Sequence, residues 1–373
     1  MSDEEMIVEA EGPEGGEAED SAEHTFQGHA DSVYSVAWCP GSRFVATGSG
    51  DDTAYLWEAA VVLSDGPAPP DADFGEGFSG LALQLTGHTD TVACVAFSAS
   101  GQLLATAGMD GVVLTWQVPS GEQVARMEGP GDAIECLAWH PKGDVVLAGS
   151  SDFTTWMWDG RAGSMMQVFT GHSGEVRCAS FSADGKLVLT GSADGSLRVW
   201  SPKTGACVRE VSGHQFHAGP LTTLVNHVDR LVVTGGEDGR VNAVNIDTGR
   251  VVTSAVGHQD SVESISLHRT QPYAATASSD GKVVVWDSRS FQKRLELPHP
   301  LGVVKALWLH VDPVLVTACL DGVVRAFDGR TGNLLVERKG HTDHILDACV
   351  SPDGWYVLTG GDDSEARVFS LRA

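Results

Sequence analysis

The amino-acid sequence predicts an all-β fold, an eight-bladed β-propeller over residues 24–373 that follows a disordered acidic tail at residues 1–23. Two observations predict the propeller. An Asp in a short turn recurs at intervals of about 42 residues, and a Thr and a large apolar residue keep nearly fixed distances from it. A period of roughly 40–45 residues is typical of propeller blades with four short strands each. Eight turn aspartates predict eight blades: Asp51, Asp110, Asp152, Asp194, Asp238, Asp280, Asp321 and Asp363.

The repeat that ends at Trp200 displays the unit most clearly. Its last eleven residues, 190–200, alternate in polarity around an Asp-Gly pair, which predicts two short strands joined by a tight turn. A His stands 22 residues before the turn Asp, a Thr stands four before it, and a Trp stands six after it. Four repeats carry the complete set, and these sets are His29, Thr47, Asp51 and Trp57; His88, Thr106, Asp110 and Trp116; His172, Thr190, Asp194 and Trp200; and His258, Thr276, Asp280 and Trp286.

From about His24 to its C-terminal end, the chain resembles the WD-repeat family in these recurring residues. The resemblance implies that each turn Asp accepts a hydrogen bond from the His, which bonds the Thr, which meets the indole N–H of the Trp. A buried polar group left without a partner costs about 1–3 kcal/mol, so we expect these sets to hold the fold together. Other repeats depart from the pattern, with Pro130 and Ala148 in the third, His214 set two residues early in the fifth, and His299 between prolines in the seventh.

The recurring His and Asp residues could also be read as acid–base pairs of an enzyme. Eight nearly equal copies are not how a single active site is built, so we expect a non-enzymatic protein with no catalytic residues. His214, His217 and His227 lie close in sequence but lack Cys partners and helical spacing, so we expect no metal ion and no cofactor. The strong negative charge and the absence of a basic stripe predict no direct binding of nucleic acid.

Two segments of the chain have the composition of disordered or flexible chain. Residues 1–23 hold ten acidic residues and no Lys or Arg, which cannot bury enough apolar surface to offset the entropy of ordering. The tail is either a solubilising segment or a guide for a basic partner. An insert at about residues 63–80, rich in Pro, Gly and Asp, lengthens the first repeat and predicts an exposed loop.

The composition also indicates the cellular compartment of the protein. The seven Cys include no CxxC pair, which predicts reduced, mostly buried thiols. The first residues lack the pattern of a signal peptide, and no apolar run is long enough to cross a bilayer. We therefore expect a soluble monomer of the cytoplasm, or of the cytoplasm and the nucleus.

A strand near the start of the propeller should close the ring. The strand around residues 24–27 precedes the first repeat and has no blade before it in sequence. We expect it to complete the last blade, whose other strands fall within residues 345–371, because closure hides a sheet edge that would otherwise aggregate.

One face of the propeller should carry the loops that follow each His and the turns that hold each Asp. The residues beside these buried groups are mostly acidic, with a few apolar side chains between them. The surface is either a solvated acidic face or a groove for a basic peptide with apolar anchors. The candidate partner-binding residues are Tyr34, Met109, Glu135, Glu175, Glu237, Glu263, Leu320 and Asp362.

Four longer segments carry a closer resemblance, and they are residues 147–159, 213–222, 320–335 and 340–347. They resemble the family of angio-associated migratory cell proteins, whose fungal counterparts are dedicated chaperones for one large-subunit ribosomal protein. The resemblance implies a propeller with an acidic face that captures a basic segment of its client. The partner implied is therefore a basic protein segment of a ribosomal protein, with no membrane involved.

Two other classes of function remain open from the sequence. A general signalling or cell-migration scaffold is one. A substrate receptor of a cullin ubiquitin ligase is the other, because residues 158–161 and 286–289 match the short WDxR pattern of such receptors and residues 327–330 come close to it. Asp and Arg are common in that turn, so the pattern has little specificity.

Overall fold

The fold is a closed ring of eight antiparallel sheets, each with four strands. The computed structural model describes residues 20–59, 61, 80–213, 216–227, 230–310 and 312–372. Within these residues every regular element is a strand, which confirms the prediction of an all-β, eight-bladed WD-repeat propeller. The described part of the chain contains no helix long and apolar enough to span a membrane.

The strands follow one another around the ring in chain order. The first strand, β1 (His24–Phe26), belongs to the last blade. Blades 1 and 2 consist of β2 (Val33–Trp38), β3 (Phe44–Ser49), β4 (Ala54–Glu58), β5 (Ala82–Leu85), β6 (Val92–Phe97), β7 (Leu103–Gly108), β8 (Val113–Gln117) and β9 (Gln123–Met127). Blades 3 and 4 consist of β10 (Ile134–Trp139), β11 (Val145–Ser150), β12 (Thr155–Asp159), β13 (Met165–Phe169), β14 (Val176–Phe181), β15 (Val188–Ser192), β16 (Leu197–Trp200) and β17 (Cys207–Val211).

The second half of the ring repeats this arrangement. Blades 5 and 6 consist of β18 (Leu221–His227), β19 (Leu231–Gly236), β20 (Arg240–Asn245), β21 (Arg250–Val256), β22 (Val262–Leu267), β23 (Tyr273–Ser278), β24 (Lys282–Asp287) and β25 (Lys293–Pro298). Blades 7 and 8 consist of β26 (Val303–Trp308), β27 (Val314–Cys319), β28 (Val324–Asp328), β29 (Leu334–Arg338), β30 (Ile345–Val350), β31 (Tyr356–Gly361) and β32 (Ala366–Ser370), with β1 as the outer strand of blade 8.

The ring closes by pairing its first strand with its last. Strand β1 runs antiparallel to β32, with Thr25 opposite Arg367. The inner strands also meet across the junction, because the backbone N–H of Val36 in blade 1 donates to Asp347 in blade 8 at 2.9 Å. The prediction that the first strand completes the last blade is therefore confirmed. Closure leaves the last blade with no missing strand.

The predicted boundary of the acidic tail is wrong by a few residues. Asp20 forms an ion pair with Arg367, and the backbone N–H of Ser21 donates to the carbonyl of Lys339 at 2.8 Å. The N–H of Glu23 donates to the carbonyl of Val368 at 2.8 Å. These partners on the last blade order residues 20–23, which the sequence analysis assigns to the tail. The expectations for residues 1–19, and for the insert at 63–80 apart from its last residue, lie outside the described residues.

The core lies between the blades. In one cluster, Leu189 and Val199 of blade 4 pack against Leu221 and Val232 of blade 5, and all four are fully buried. Each blade therefore buries its two faces against its neighbours, which lets a chain this long form one domain without a single central core. All seven cysteines are free thiols.

Candidate partner-binding face

The residue before each turn Asp is held on one face of the propeller by the same backbone contact. Its N–H donates to a carbonyl in the loop before the inner strand, as Met109 does to Thr91 at 2.8 Å and Glu237 does to Pro220 at 3.0 Å. The same bond occurs in all eight blades, with donors Gly50, Met109, Ser151, Ala193, Glu237, Ser279, Leu320 and Asp362. We call the surface formed by these eight turns and loops the turn face.

Beneath the turn face of blade 4 lies a chain of hydrogen bonds. Burial lowers the pKa of His172, so its imidazole is neutral. Its Nδ1–H donates to Asp194 at 3.0 Å, and its Nε2 accepts from the hydroxyl of Thr190 at 2.7 Å. The Thr190 oxygen in turn accepts from the indole N–H of Trp200 at 2.8 Å. Every member of this buried set has a partner, which makes the turn rigid.

Two more blades contain the same complete set of bonds. In blade 2 the indole of Trp116 donates to Thr106 at 3.0 Å, and in blade 6 the indole of Trp286 donates to Thr276 at 2.9 Å. His88 bonds Thr106 and Asp110, and His258 bonds Thr276 and Asp280. The His, Thr and Trp residues of these sets are buried beneath the turn that they support.

The predicted set of blade 1 is incomplete. His29 bonds Asp51 at 3.0 Å and Thr47 at 2.8 Å, as expected. The indole N–H of Trp57 has no hydrogen-bond acceptor among the described residues, although the side chain is 1% exposed. Its ring stacks on Phe26 of β1, with centroids 5.0 Å apart. The closing strand thus gives Trp57 a different environment from the other repeat tryptophans.

The irregular repeats replace the missing bonds in different ways. In blade 5 the imidazole that supports the turn is that of His217 and not the predicted His214. It bonds Asp238 at 3.0 Å and Thr234 at 2.9 Å. The prediction chose the His that follows Gly, but the loop after it is longer here. In blade 7, His299 bonds Thr317 at 2.9 Å, while Asp321 is paired instead with Arg325 at 2.7 Å.

Blade 3 holds its turn without a His. Asp152 accepts hydrogen bonds from the N–H of Gly131 at 2.8 Å and from the hydroxyl of Thr154 at 2.5 Å. The indole of Trp156 donates to the same Thr154 hydroxyl at 2.7 Å. Since no imidazole needs a partner, Ala148 can stand where the other blades have Thr.

The candidate partner-binding residues divide the turn face into two halves. Carboxylates occupy four consecutive blades, from 3 to 6, and we call these the acidic half: Glu135, Glu175, Glu237 and Glu263. Apolar side chains occupy blades 7, 1 and 2, which ring closure brings together on either side of blade 8: Leu320, Tyr34 and Met109. Tyr34 and Met109 are 44% and 48% exposed. Asp362 of blade 8 lies among the apolar residues and accepts from Ser32 at 2.7 Å.

One arginine partly neutralises the acidic half. The guanidinium of Arg177 contacts Glu175 at 3.3 Å and Glu237 at 2.5 Å, which joins blade 4 to blade 5. Glu135 and Glu263 accept instead from the hydroxyls of Ser151 at 2.5 Å and Ser279 at 2.9 Å. Neither of these two carboxylates contacts a Lys or Arg among the described residues. They are therefore the two glutamates of the acidic half whose charge no described cation offsets through an ion pair.

Sequence reasoning missed one exposed aromatic on this face. Phe153 follows the turn Asp of blade 3, a position where five of the eight repeats have Gly. It adopts a φ of 72° and is 45% exposed. The signal in the sequence was the bulky residue at a glycine position.

No set of three or more potential metal ligands comes together in the part of the chain that the structure describes.

The arginines of the WDxR segments differ in their surroundings. Arg161 contacts Asp144 at 2.6 Å and Gln102 at 2.9 Å, and Arg330 contacts Asp328 at 3.3 Å, while Arg289 lies on the surface. Two of the three guanidinium groups are therefore already held by this chain's own carboxylates.

The repeated bonds and the ring of blades define the class, a WD-repeat β-propeller of the protein-binding type. The family described as "WD domain, G-beta repeat" matches residues 21–58, 249–287 and 332–370. A second family, described as "WDR90, 4th beta-propeller", matches residues 91–255. The chain belongs to the angio-associated migratory cell protein family. It is 35% identical to the Homo sapiens protein of that name, in an alignment that covers 95% of this chain and 81% of that protein.

Two further similarities extend this result. A WD repeat-containing protein of Schizosaccharomyces pombe is 46% identical over 110 residues, which are 30% of this chain and 28% of that protein. The solved structure of Chaetomium thermophilum Sqt1, bound to the N-terminus of the ribosomal protein L10, is similar with a TM-score of 0.82 and 26% identity. That similarity covers 95% of this chain and all of the Sqt1 chain.

Proposed function

We propose that this protein is a non-enzymatic chaperone that holds a basic segment of a large-subunit ribosomal protein on its turn face and delivers it to ribosome assembly. The acidic half carries the proposal, because four consecutive blades present a glutamate on the same side. The similarity to Sqt1, which was crystallised with the N-terminus of ribosomal protein L10, supports a client of that kind. A monomer of the cytoplasm, with the nucleus as a second location, fits this role.

The physical case rests on charge complementarity combined with apolar anchors. A segment that contacts RNA in the ribosome is rich in Lys and Arg, and an acidic surface offers it a substitute for phosphate. Each exposed ion pair contributes only about 0–1 kcal/mol, so several must form together. Apolar contacts with Tyr34, Met109 and Leu320 would add about 1.5–3 kcal/mol for each side chain that becomes fully buried.

Release follows from the same electrostatics. Ribosomal RNA is a denser polyanion than the turn face and competes for the same cationic side chains. Binding should also weaken steeply with salt, because the Debye length falls from about 10 Å at 0.1 M to about 3 Å at 1 M.

The test is a charge reversal at the two carboxylates that have no cationic neighbour. Glu135→Lys combined with Glu263→Lys should lower the affinity for a peptide of the L10 N-terminus by at least about tenfold, a change of 1.4 kcal/mol. Each reversal replaces an attraction with a repulsion, and neither leaves Arg177 without its partners. Isothermal titration calorimetry at 0.1 M salt measures the affinity, and circular dichroism confirms the fold.

The matched control makes the same change in net charge away from the turn face. Glu122 lies in the turn between β8 and β9, Asp312 lies in the turn between β26 and β27, and both are exposed. Glu122→Lys combined with Asp312→Lys should retain most of the affinity. Equal losses in the two double variants would attribute binding to overall charge, and an unchanged affinity in the turn-face variant would remove this face from the mechanism.

A further inference from the structure

Phe153 has an unfavourable backbone conformation that is not offset by burial of its side chain. Its φ of 72° lies in the left-handed region, where the backbone of residues other than Gly, Asn and Asp is strained. Phe291 has a similar φ of 52°, but its ring is 5% exposed and belongs to the core between blades 5 and 6. The ring of Phe153 is 45% exposed and belongs to none of the described core clusters. Burial offsets the strain at Phe291 but not at Phe153.

The surroundings of Phe153 explain what an exposed ring could bind there. Two residues before it, Ser151 donates its hydroxyl to the carboxylate of Glu135 at 2.5 Å. The equivalent residue of blade 4 is Gly195, which lies against the carbonyl of Gly219 in the loop of blade 5. This turn position therefore stands at the seam between two blades, and Phe153 occupies it in blade 3, two residues after the Ser151 that donates to Glu135.

From this geometry we propose that Phe153 forms the wall of a subsite for an arginine of the bound segment. The planar guanidinium stacks on the aromatic ring while a carboxylate, that of Glu135, accepts its N–H groups. Arg suits this site better than Lys because its flat, weakly hydrated cation stacks on rings and its donors match a carboxylate. The inference rests on the proposed function and adds a preference for arginine at one position of the client.

Substitutions at Phe153 can separate an effect on stability from an effect on binding. Phe153→Gly restores the residue type that five other blades have at this turn, so the variant should melt at or above the temperature of the wild-type protein. Its affinity for the L10 N-terminal peptide should fall about fivefold to thirtyfold. Phe153→Tyr retains an aromatic face and should bind like the wild type, whereas Phe153→Leu should bind like the Gly variant.

A matched control uses the same turn position in blade 8. Ser364 has a φ of 65°, and Ser364→Gly should leave the affinity for the peptide unchanged. A peptide in which every Arg is replaced by Lys should bind the wild type more weakly but should be insensitive to Phe153→Gly.

The outcomes separate this inference from the proposed function. No binding by the wild-type protein would overturn both. Binding by the wild type that is unchanged in Phe153→Gly would overturn the arginine subsite alone. A fall of several degrees in the melting temperature of Phe153→Gly would assign the ring to the fold and would also overturn the subsite.

Discussion

Replacing tryptophan by phenylalanine should cost more stability in blade 4 than in blade 1, although both tryptophans are 1% exposed. Trp200→Phe removes the hydrogen bond to Thr190, which contributes about 1 kcal/mol. Trp57→Phe removes a buried N–H that has no acceptor among the described residues, and such an orphan costs about 1–3 kcal/mol. Both substitutions delete the same atoms, so their cavity terms largely cancel. The free energy of unfolding should therefore differ by about 2–4 kcal/mol between the two variants.

Urea unfolding followed by far-ultraviolet circular dichroism measures this difference, since tryptophan fluorescence changes with the substitution itself. Trp116→Phe and Trp286→Phe serve as controls, because both indoles donate to a buried Thr as Trp200 does. These two variants should lose about as much stability as Trp200→Phe. Equal losses at Trp57 and Trp200 would refute the argument that the indole bond stabilises the complete sets.

Two further predictions concern the turn and the closing strand. Burial raises the pKa of Asp194, but hydrogen bonds from Ser196 and Ser173 outweigh it and lower the pKa to about 2. Because its pKa is lower in the folded protein, the ionised carboxylate of Asp194 stabilises the fold above the unfolded pKa of 3.8. This stabilisation is lost as the pH falls through about 2. Asp194→Ala should thus lose about 2 kcal/mol in urea unfolding at pH 7, and the gap to the wild type should narrow below pH 4; a gap that widens there would contradict the assignment. Deleting residues 1–27 removes β1 and uncovers the edge of β32, so this variant should self-associate in sedimentation experiments. Deleting residues 1–19 should leave a monomer, and self-association of both truncated proteins would exclude the exposed edge as the cause.

The fold could be predicted from the sequence because its information is local and repeated. Each blade carries its own turn Asp, and the distance from His172 to Asp194 is set by two strands of that blade, β14 and β15, with the loop before each of them. The same spacing recurs in most blades, so the number of blades could be counted. The loop of blade 5 breaks this rule, and the choice between His214 and His217 depended on which imidazole can reach Asp238 and Thr234 in three dimensions.

The residues of the candidate site and the face that carries them could be predicted, but their arrangement around that face could not. The sequence named Tyr34, Met109 and the four glutamates, since each stands at a known place beside a turn. It did not show that the four glutamates lie on one side of the face while Tyr34, Met109 and Leu320 lie on the blades around blade 8, because that arrangement depends on ring closure. The bridge from Arg177 to Glu237 crosses from one blade to the next and has no counterpart in a single repeat.

By itself, then, the sequence determined what a blade can specify internally: the strands, the tight turns, the buried His–Asp pairs and the acidic character of the turn face. Only the tertiary structure decided what depends on neighbouring blades. Closure by β1 places Phe26 against Trp57, and the turn of blade 3 leaves Phe153 exposed two residues after Ser151, which donates to Glu135. The physical reason is that strand pairing and turns arise from residues close in sequence, whereas bonds between blades join residues 40 or 60 positions apart or, at the closure, 311 positions apart.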